Sequence, residues 1–359
     1  MTVASVGFTI SVQAADLPAK KAAPAATPAS GGVVGCPAFG SGFFNLPGTE
    51  TCLKIGGYFR YLGYVQTPDT GATNAAYSQA GRIRQEFDVR SNSELGMIRG
   101  FTRITDVTAE RAFVQIGTLT AGAYGATTDI AGLRGETFGA LFNDGTNVTG
   151  IKYEMPMGTS TLTFALENAK DFNNGSGVSD RPDALLGFKT KLGTLDANII
   201  GVNHHITTSS AEAEGFALLG ALSTKVGSVD ASVFGGVSKG ASRYTFSTSS
   251  SSTTMPPASS TISGWVDSIA NGSDEADSDN VGAQLAYTEG PVTVVGQLSN
   301  ANLNTVTKGK YQSQRAGFAV IGTIAKDLVV EPGVVMYNNI NSGDAVTTTR
   351  AYLQIKRSF

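Results

Sequence analysis

Arg82, Arg84, Glu86, Asp88 and Arg90 alternate with Ile83, Gln85, Phe87 and Val89 in GRIRQEFDVR, so five charged side chains fall on one side of a single run. A period of two marks a strand with two unlike faces. Five charges in a row cannot face a dry interior, because each would lose its hydration without compensation. They need water. The chemistry open to such a row is electrostatic: a fixed field that orients dipoles and sorts ions. Arg60 on the 54–66 run, and Arg99 and Arg103 on the 96–106 run, share the inner parity, so Arg60, Arg82, Arg84, Arg99 and Arg103 read as one basic wall on three neighbouring strands. Each could equally be an ordinary solvated side chain.

Covalent chemistry has little to build on. His204 and His205 are the only histidines, adjacent at a strand end and so directed to opposite faces; the plain reading is a polar loop start. No Ser-His-Asp triad has a convincing base, and no GxSxG or P-loop pattern occurs. The acidic run SDEADSD lacks EF-hand spacing and reads as a solvated loop. The sequence therefore predicts no enzyme, no metal and no cofactor. With net charge −3, nothing marks a nucleic-acid surface either.

The elements that position these charges are strands. Charged residues make up 15% of the chain against a typical ~25%, and glycine is abundant at 44 residues, a composition that suits strands and turns over long surface helices. On the 54–66 run, Ile55, Phe59, Tyr61 and Val65 oppose Lys54, Tyr58, Arg60, Leu62 and Tyr64. Apolar outside with charge inside reverses a soluble sheet and fits a membrane barrel. Tight-turn sequences (MPMGT, KLGT, VGS, TEGP and AKD) punctuate the second half, mostly at intervals of about 35 residues, enough for two strands of about 10 to 12 residues and one longer loop. Counting gives about 16 strands. A turn-rich loop is expected at 67–80, and 125–148 breaks the alternation while carrying Asp129, Arg134, Glu136 and Asp144. A loop of that length in a compact fold is functional or disordered. Its acids Asp129, Glu136 and Asp144 are candidates for a carboxylate side facing the arginines.

The chain divides into residues 1–14, 15–51 and 52–359. The first is an apolar export signal ending in a small-x-Ala site; its charged n-region is missing, which points to an incomplete or misplaced start. The second holds an Ala/Pro-rich segment and a loop bounded by Cys36 and Cys52. In an exported chain such a pair reads as a disulfide closing about 17 residues, worth roughly 3 kcal/mol; in the cytosol two free thiols would be the better reading. The third is the barrel, ending in Phe359.

Several blocks carry a family resemblance: ADLPAKKAAP, CPAFGSGFFNLPGTETCLKIGGYFRYLGY, SELGMIRGFTRI, RAFVQIGTLTAGAYGA and the terminal AYLQIKRSF. Together they resemble the alphaproteobacterial general porin family over essentially the whole mature chain. The resemblance implies an all-β, 16-stranded antiparallel transmembrane β-barrel in the outer membrane, a homotrimer surrounded by outer-membrane lipid. It implies a third external loop, 125–148, folded inward to narrow a channel for small hydrophilic solutes and ions. The terminal Phe359 is similar to the signal read by the barrel-assembly machinery. A plugged barrel acting as a structural or adhesive surface protein, with the 240–279 loop as its working part, is the alternative; an exported β-sandwich would require its outer faces to be covered.

Overall fold

The computed structural model describes residues 34–68, 76–135, 147–168, 181–207, 212–246, 277–305, 309–341 and 344–359. The export signal, the 15–33 stretch, Glu136, Asp144 and most of the 240–279 loop lie outside them. A two-residue strand, β1 (Phe44–Asn45), precedes β2 (Cys52–Pro68), β3 (Ala76–Ser93), β4 (Gly96–Thr105), β5 (Thr108–Ile116) and β6 (Leu119–Gly125). There follow β7 (Asn147–Met157), β8 (Ser160–Glu167), β9 (Asp183–Leu192), β10 (Leu195–Thr207), β11 (Glu212–Val226) and β12 (Val229–Lys239). The last five are β13 (Asp277–Glu289), β14 (Val292–Thr305), β15 (Gly309–Ala325), β16 (Leu328–Asn341) and β17 (Asp344–Ser358). Each of β2 to β17 pairs antiparallel with the next, and β17 closes on β2 through the register Thr348↔Pro68 to Ser358↔Tyr58. The result is a closed sixteen-stranded barrel, which leaves no sheet edge unpaired.

The side-chain alternation explains why closure is stable only with apolar surroundings. Ile55, Phe59, Tyr61 and Val65 of β2 point outward and exposed, as do Val281, Leu285 and Tyr287 of β13, and Leu353 and Ile355 of β17. Leu62 faces the other way and is buried. A continuous apolar exterior on all sides is tolerable in hydrocarbon and not in water. No helix among the described residues is long and apolar enough to cross a membrane, so the strands are what cross.

Connections on one side are two-residue turns, five of which place a glycine in the left-handed region: Gly117, Gly158, Gly193, Gly227 and Gly290, with φ between 54° and 64°. All five turn sequences picked out above sit at such turns, the last at Lys326 and Asp327. The 67–80 expectation is too long: β2 runs to Pro68 and β3 begins at Ala76, because hydrogen bonding between these two strands continues past the turn-rich composition. Similarly β7 starts at Asn147, whose side chain anchors an arginine of β5.

One interior glycine marks a close approach. A Cβ on Gly150 of β7 would lie 2.3 Å from the carbonyl oxygen of Leu166 and 2.8 Å from the Tyr124 hydroxyl. Backbone cannot retreat as a flexible side chain can, so Gly150→Ala is expected to cost about 1–3 kcal/mol. The temperature at which folded barrel converts to the slower, unfolded species on semi-native gels should fall; an unchanged midpoint would contradict the packing.

Candidate functional site

The basic wall lies on β2 to β4, and four of its five arginines are held by carboxylates of β3, of β5 or of the turn between β4 and β5. Asp88 of β3 accepts two hydrogen bonds from Arg90 (2.9 and 2.8 Å) and two from Arg99 on β4 (3.0 and 2.9 Å). Arg103 donates to Glu86 at 2.8 Å, and Arg84 to Glu110 and to Thr105, each at 3.1 Å. Arg82 pairs with Asp106, at the turn between β4 and β5, at 3.4 Å. Arg60 reaches Gln354 of β17 at 3.5 Å. Direct cross-strand neighbours sit close enough for such pairs, and register decides which residues are neighbours. The wall is thus largely neutralised in place, and loop carboxylates are not what balances Arg82, Arg84, Arg99 and Arg103. Alternation shows Glu86 and Asp88 on the arginine face; it does not show which arginine each one meets.

Residues 126–135 follow β6 and lie against inward-facing side chains. The backbone NH of Arg134 donates to Gln284 Oε1, and Gln284 Nε2 donates back to the Arg134 carbonyl, both at 2.7 Å. The Arg134 guanidinium makes an ion pair with Asp230 at 2.5 Å. Neighbours of these partners, Val229 and Val233 on β12 and Val281 and Leu285 on β13, are exposed on the outer face, so Asp230 and Gln284 point inward and the segment runs inside the wall. At its start the Thr127 NH and hydroxyl donate to Glu167 Oε1 (3.0 and 2.5 Å). Beneath it the inner face of β8 to β12 carries an apolar patch, with Ala165, Leu185, Ile200, Val202, Leu219 and Phe234 buried against Tyr124, Ala126 and Ala131. At that patch the strands are apolar on both faces because one meets the membrane and the other meets the loop.

A cavity of about 600 Å³ opens between this segment and the walls. Arg99, Arg111, Lys152, Lys189 and Lys191 line it together with Asp129, Glu154 and Asp196. Of the three loop acids expected at a carboxylate side, Asp129 therefore shares a cavity with Arg99, while Glu136 and Asp144 lie outside the described residues. A second cavity of about 350 Å³ adjoins through Lys189 and Asp196, with Arg134, Lys225 and Asp230. The sequence reading did not count Arg111, Lys152 or Glu154 among the site residues.

The histidines are not a polar loop start. Both belong to β10 and are buried, His204 inward and His205 on the opposite face. His204 Nδ1 lies 2.7 Å from Asp183 Oδ2, and the His205 NH donates to Asp183 Oδ1 at 3.1 Å. The Tyr244 hydroxyl also donates to Asp183, which fixes residues 241–246 against the inner wall. Glu167 and Asp183 are direct partners in the β8–β9 register, so two inward segments hang from two neighbouring carboxylates. No group of three or more potential metal-binding side chains occurs among the described residues. Cys36 and Cys52 are joined as a disulfide, which settles the thiol alternative. Phe43 of that loop is buried, with the Arg90 guanidinium 4.7 Å from its ring centroid. At the far end Phe359 exchanges backbone hydrogen bonds with Gly57 (3.1 and 3.3 Å), its ring 5.5 Å from that of Phe59.

A charged lumen inside an apolar sixteen-stranded exterior is the architecture of a channel, and the sequence matches the porin subfamily over residues 22–354. The chain belongs to the porin subfamily. This porin is 33% identical over 181 residues to the y4fJ protein of Sinorhizobium fredii, covering 42% of this chain and 50% of that one. It is 39% identical over 72 residues to the porin Omp2a of Brucella ovis, covering 19% and 20%. The matched segments span about half and a fifth of those relatives' lengths. Among solved structures the outer membrane channel DcaP of Acinetobacter baumannii has the same fold, with a TM-score of 0.68 at 13% identity over 86% of this porin and 97% of DcaP. The porin is a protein of the bacterial outer membrane, and its family and fold are those of a channel rather than an enzyme.

Proposed function

We propose that the porin forms a water-filled channel for passive diffusion of small hydrophilic solutes and ions, assembled as a homotrimer in outer-membrane lipid. The observation that carries this reading is the charged cavity of about 600 Å³ between the arginine wall and the inward segment 126–135. Its volume is within the ~300–1,000 Å³ typical of small-molecule sites, and its lining is charged where a dry core would be apolar. On this reading the loop between β6 and β7 narrows the passage, with Asp129 facing the cations of the wall. Phe359, tied to Gly57 and with its ring tilted against that of Phe59, would serve the barrel-assembly machinery as the recognised end.

Detergent-purified protein in a planar bilayer tests the reading. Stepwise currents closing in threes are expected, with a reversal potential in a salt gradient that reports the lumen's net sign. A folded, heat-modifiable barrel that passes no current would favour the plugged, structural reading instead. That second reading has one observation in its favour: residues 241–246 also pack inward, with Tyr244 and Phe246 buried, so among the described residues a second segment joins 126–135 in the lumen.

A further inference from the structure

We infer that the cavity beneath the inward segment holds a binding site for small oxyanions, with Arg111 as its fixed anchor and Lys189 as its second cation. The inference deepens the channel reading and rests on it.

Arg111 projects from β5 over Gly125, where an added Cβ would sit 2.6 Å from Arg111 Nη2, so the guanidinium lies close against the backbone there. Its Nε donates to Asn147 Oδ1 at 2.7 Å, a neutral amide that orients the group without cancelling its charge. No carboxylate of the described residues forms an ion pair with Arg111. Lys189, which lines both lumen cavities, is likewise without an ion pair among the described residues. The other cations are already engaged: Arg99 by Asp88, Lys191 by Asp196 at 3.1 Å, and Lys152 by Glu154 at 3.5 Å. With those three cations paired, Arg111 and Lys189 stand against Asp129 alone, which leaves the cavity a surplus of one positive charge. A guanidinium fork with free N–H groups matches the paired oxygens of a phosphate or carboxylate. Low-dielectric walls concentrate such a field and raise the local concentration of counter-ions. Asp129 on the opposing segment limits residence, so an ion binds and leaves.

Inorganic phosphate is the probe. Added to channels conducting KCl, it is expected to reduce the chloride-carried current with saturation, and Arg111→Gln and Lys189→Gln should each raise the half-saturating phosphate concentration about tenfold, the loss of one charge-assisted hydrogen bond. Both variants should retain heat-modifiable migration, and the phosphate block of each is measured against its own phosphate-free KCl current. Lys189→Gln keeps the test open if Arg111→Gln fails to assemble. Phosphate block that is linear in concentration, or unchanged in both variants, would overturn the site. Absence of any KCl current would count against the diffusion reading alone. In that case calorimetric titration of phosphate into the detergent-solubilised barrel decides the site, saturable binding lost in Lys189→Gln supporting it and no heat refuting it. Acetate and succinate, run in parallel, separate a general oxyanion site from one requiring a tetrahedral ion.

Discussion

Replacing Asp88 by alanine is expected to destabilise the barrel by about 2–4 kcal/mol and to turn its reversal potential towards anions. One carboxylate satisfies four N–H groups of two arginines, Arg90 on its own strand and Arg99 on the next, at 2.8–3.0 Å. Removing one member of a buried ion pair costs ~3–5 kcal/mol, because the survivor is left uncompensated. Here the side chains are 12%, 22% and 24% exposed, so lumen water takes back part of that cost. The consequence extends beyond the wall. Arg90 lies over Phe43 in the disulfide-closed loop, so loss of its clamp should loosen that loop without opening the Cys36–Cys52 bond. Semi-native gel midpoints measure the first effect and salt-gradient reversal potentials the second. A midpoint equal to wild type would show that the four hydrogen bonds carry no net stability. Asp88→Asn separates the two effects, since it removes the charge while keeping part of the hydrogen bonding.

The second large effect concerns the inward segment. Arg134 is held by two backbone hydrogen bonds to the Gln284 amide and by the ion pair with Asp230. Gln284 is itself fixed by a 2.9 Å hydrogen bond to Gln297. Neutral bonds contribute ~1 kcal/mol each, and a partly exposed pair ~0–1 kcal/mol. Losing all three contacts should shift the docked-to-undocked ratio by roughly 10². In the double variant Gln284→Ala and Asp230→Ala, single-channel recordings should show higher mean conductance and frequent sublevel flicker. The Thr127–Glu167 contact and the buried apolar seam remain, so the segment should stay tethered at its start. Quiet channels of wild-type conductance would mean that this end of the segment does not limit the passage.

The two predictions differ in how far the sequence anticipates them. Glu86 and Asp88 are visibly on the arginine face from alternation alone, so a mixed charged wall is legible at 82–90. That Asp88 also serves Arg99 while Glu86 serves Arg103 is a matter of register between β3 and β4. Nothing local specifies register: it follows from where each strand begins and from how the whole sheet closes. The clamp on Arg134 is further out of reach, because Gln284 is 150 residues away and an inward glutamine in a barrel strand looks like any lumen residue. The histidines show the opposite failure. Adjacent polar residues near a strand end read as a loop start, yet Asp183 and Tyr244, remote in sequence, bury His204 in a hydrogen-bonded node.

What the sequence determined by itself is the class of the fold and its two-sidedness. Period-two alternation with charge on one face and aromatics on the other admits few arrangements other than a closed barrel between lipid and water. Glycine-bearing turns at regular spacing marked the short side, since a left-handed residue in a two-residue turn is a local requirement that composition reports. The tertiary structure alone decided which charges neutralise one another and which stay free. Arg99 and Arg111 share an inner face and a residue type, but only Arg99 meets a carboxylate; Arg111 meets Asn147, brought beside it from 36 residues along the chain. Electrostatic energy depends on separations of a few ångströms between groups remote in sequence. The chain order fixes those separations only once the last strand has closed on the first.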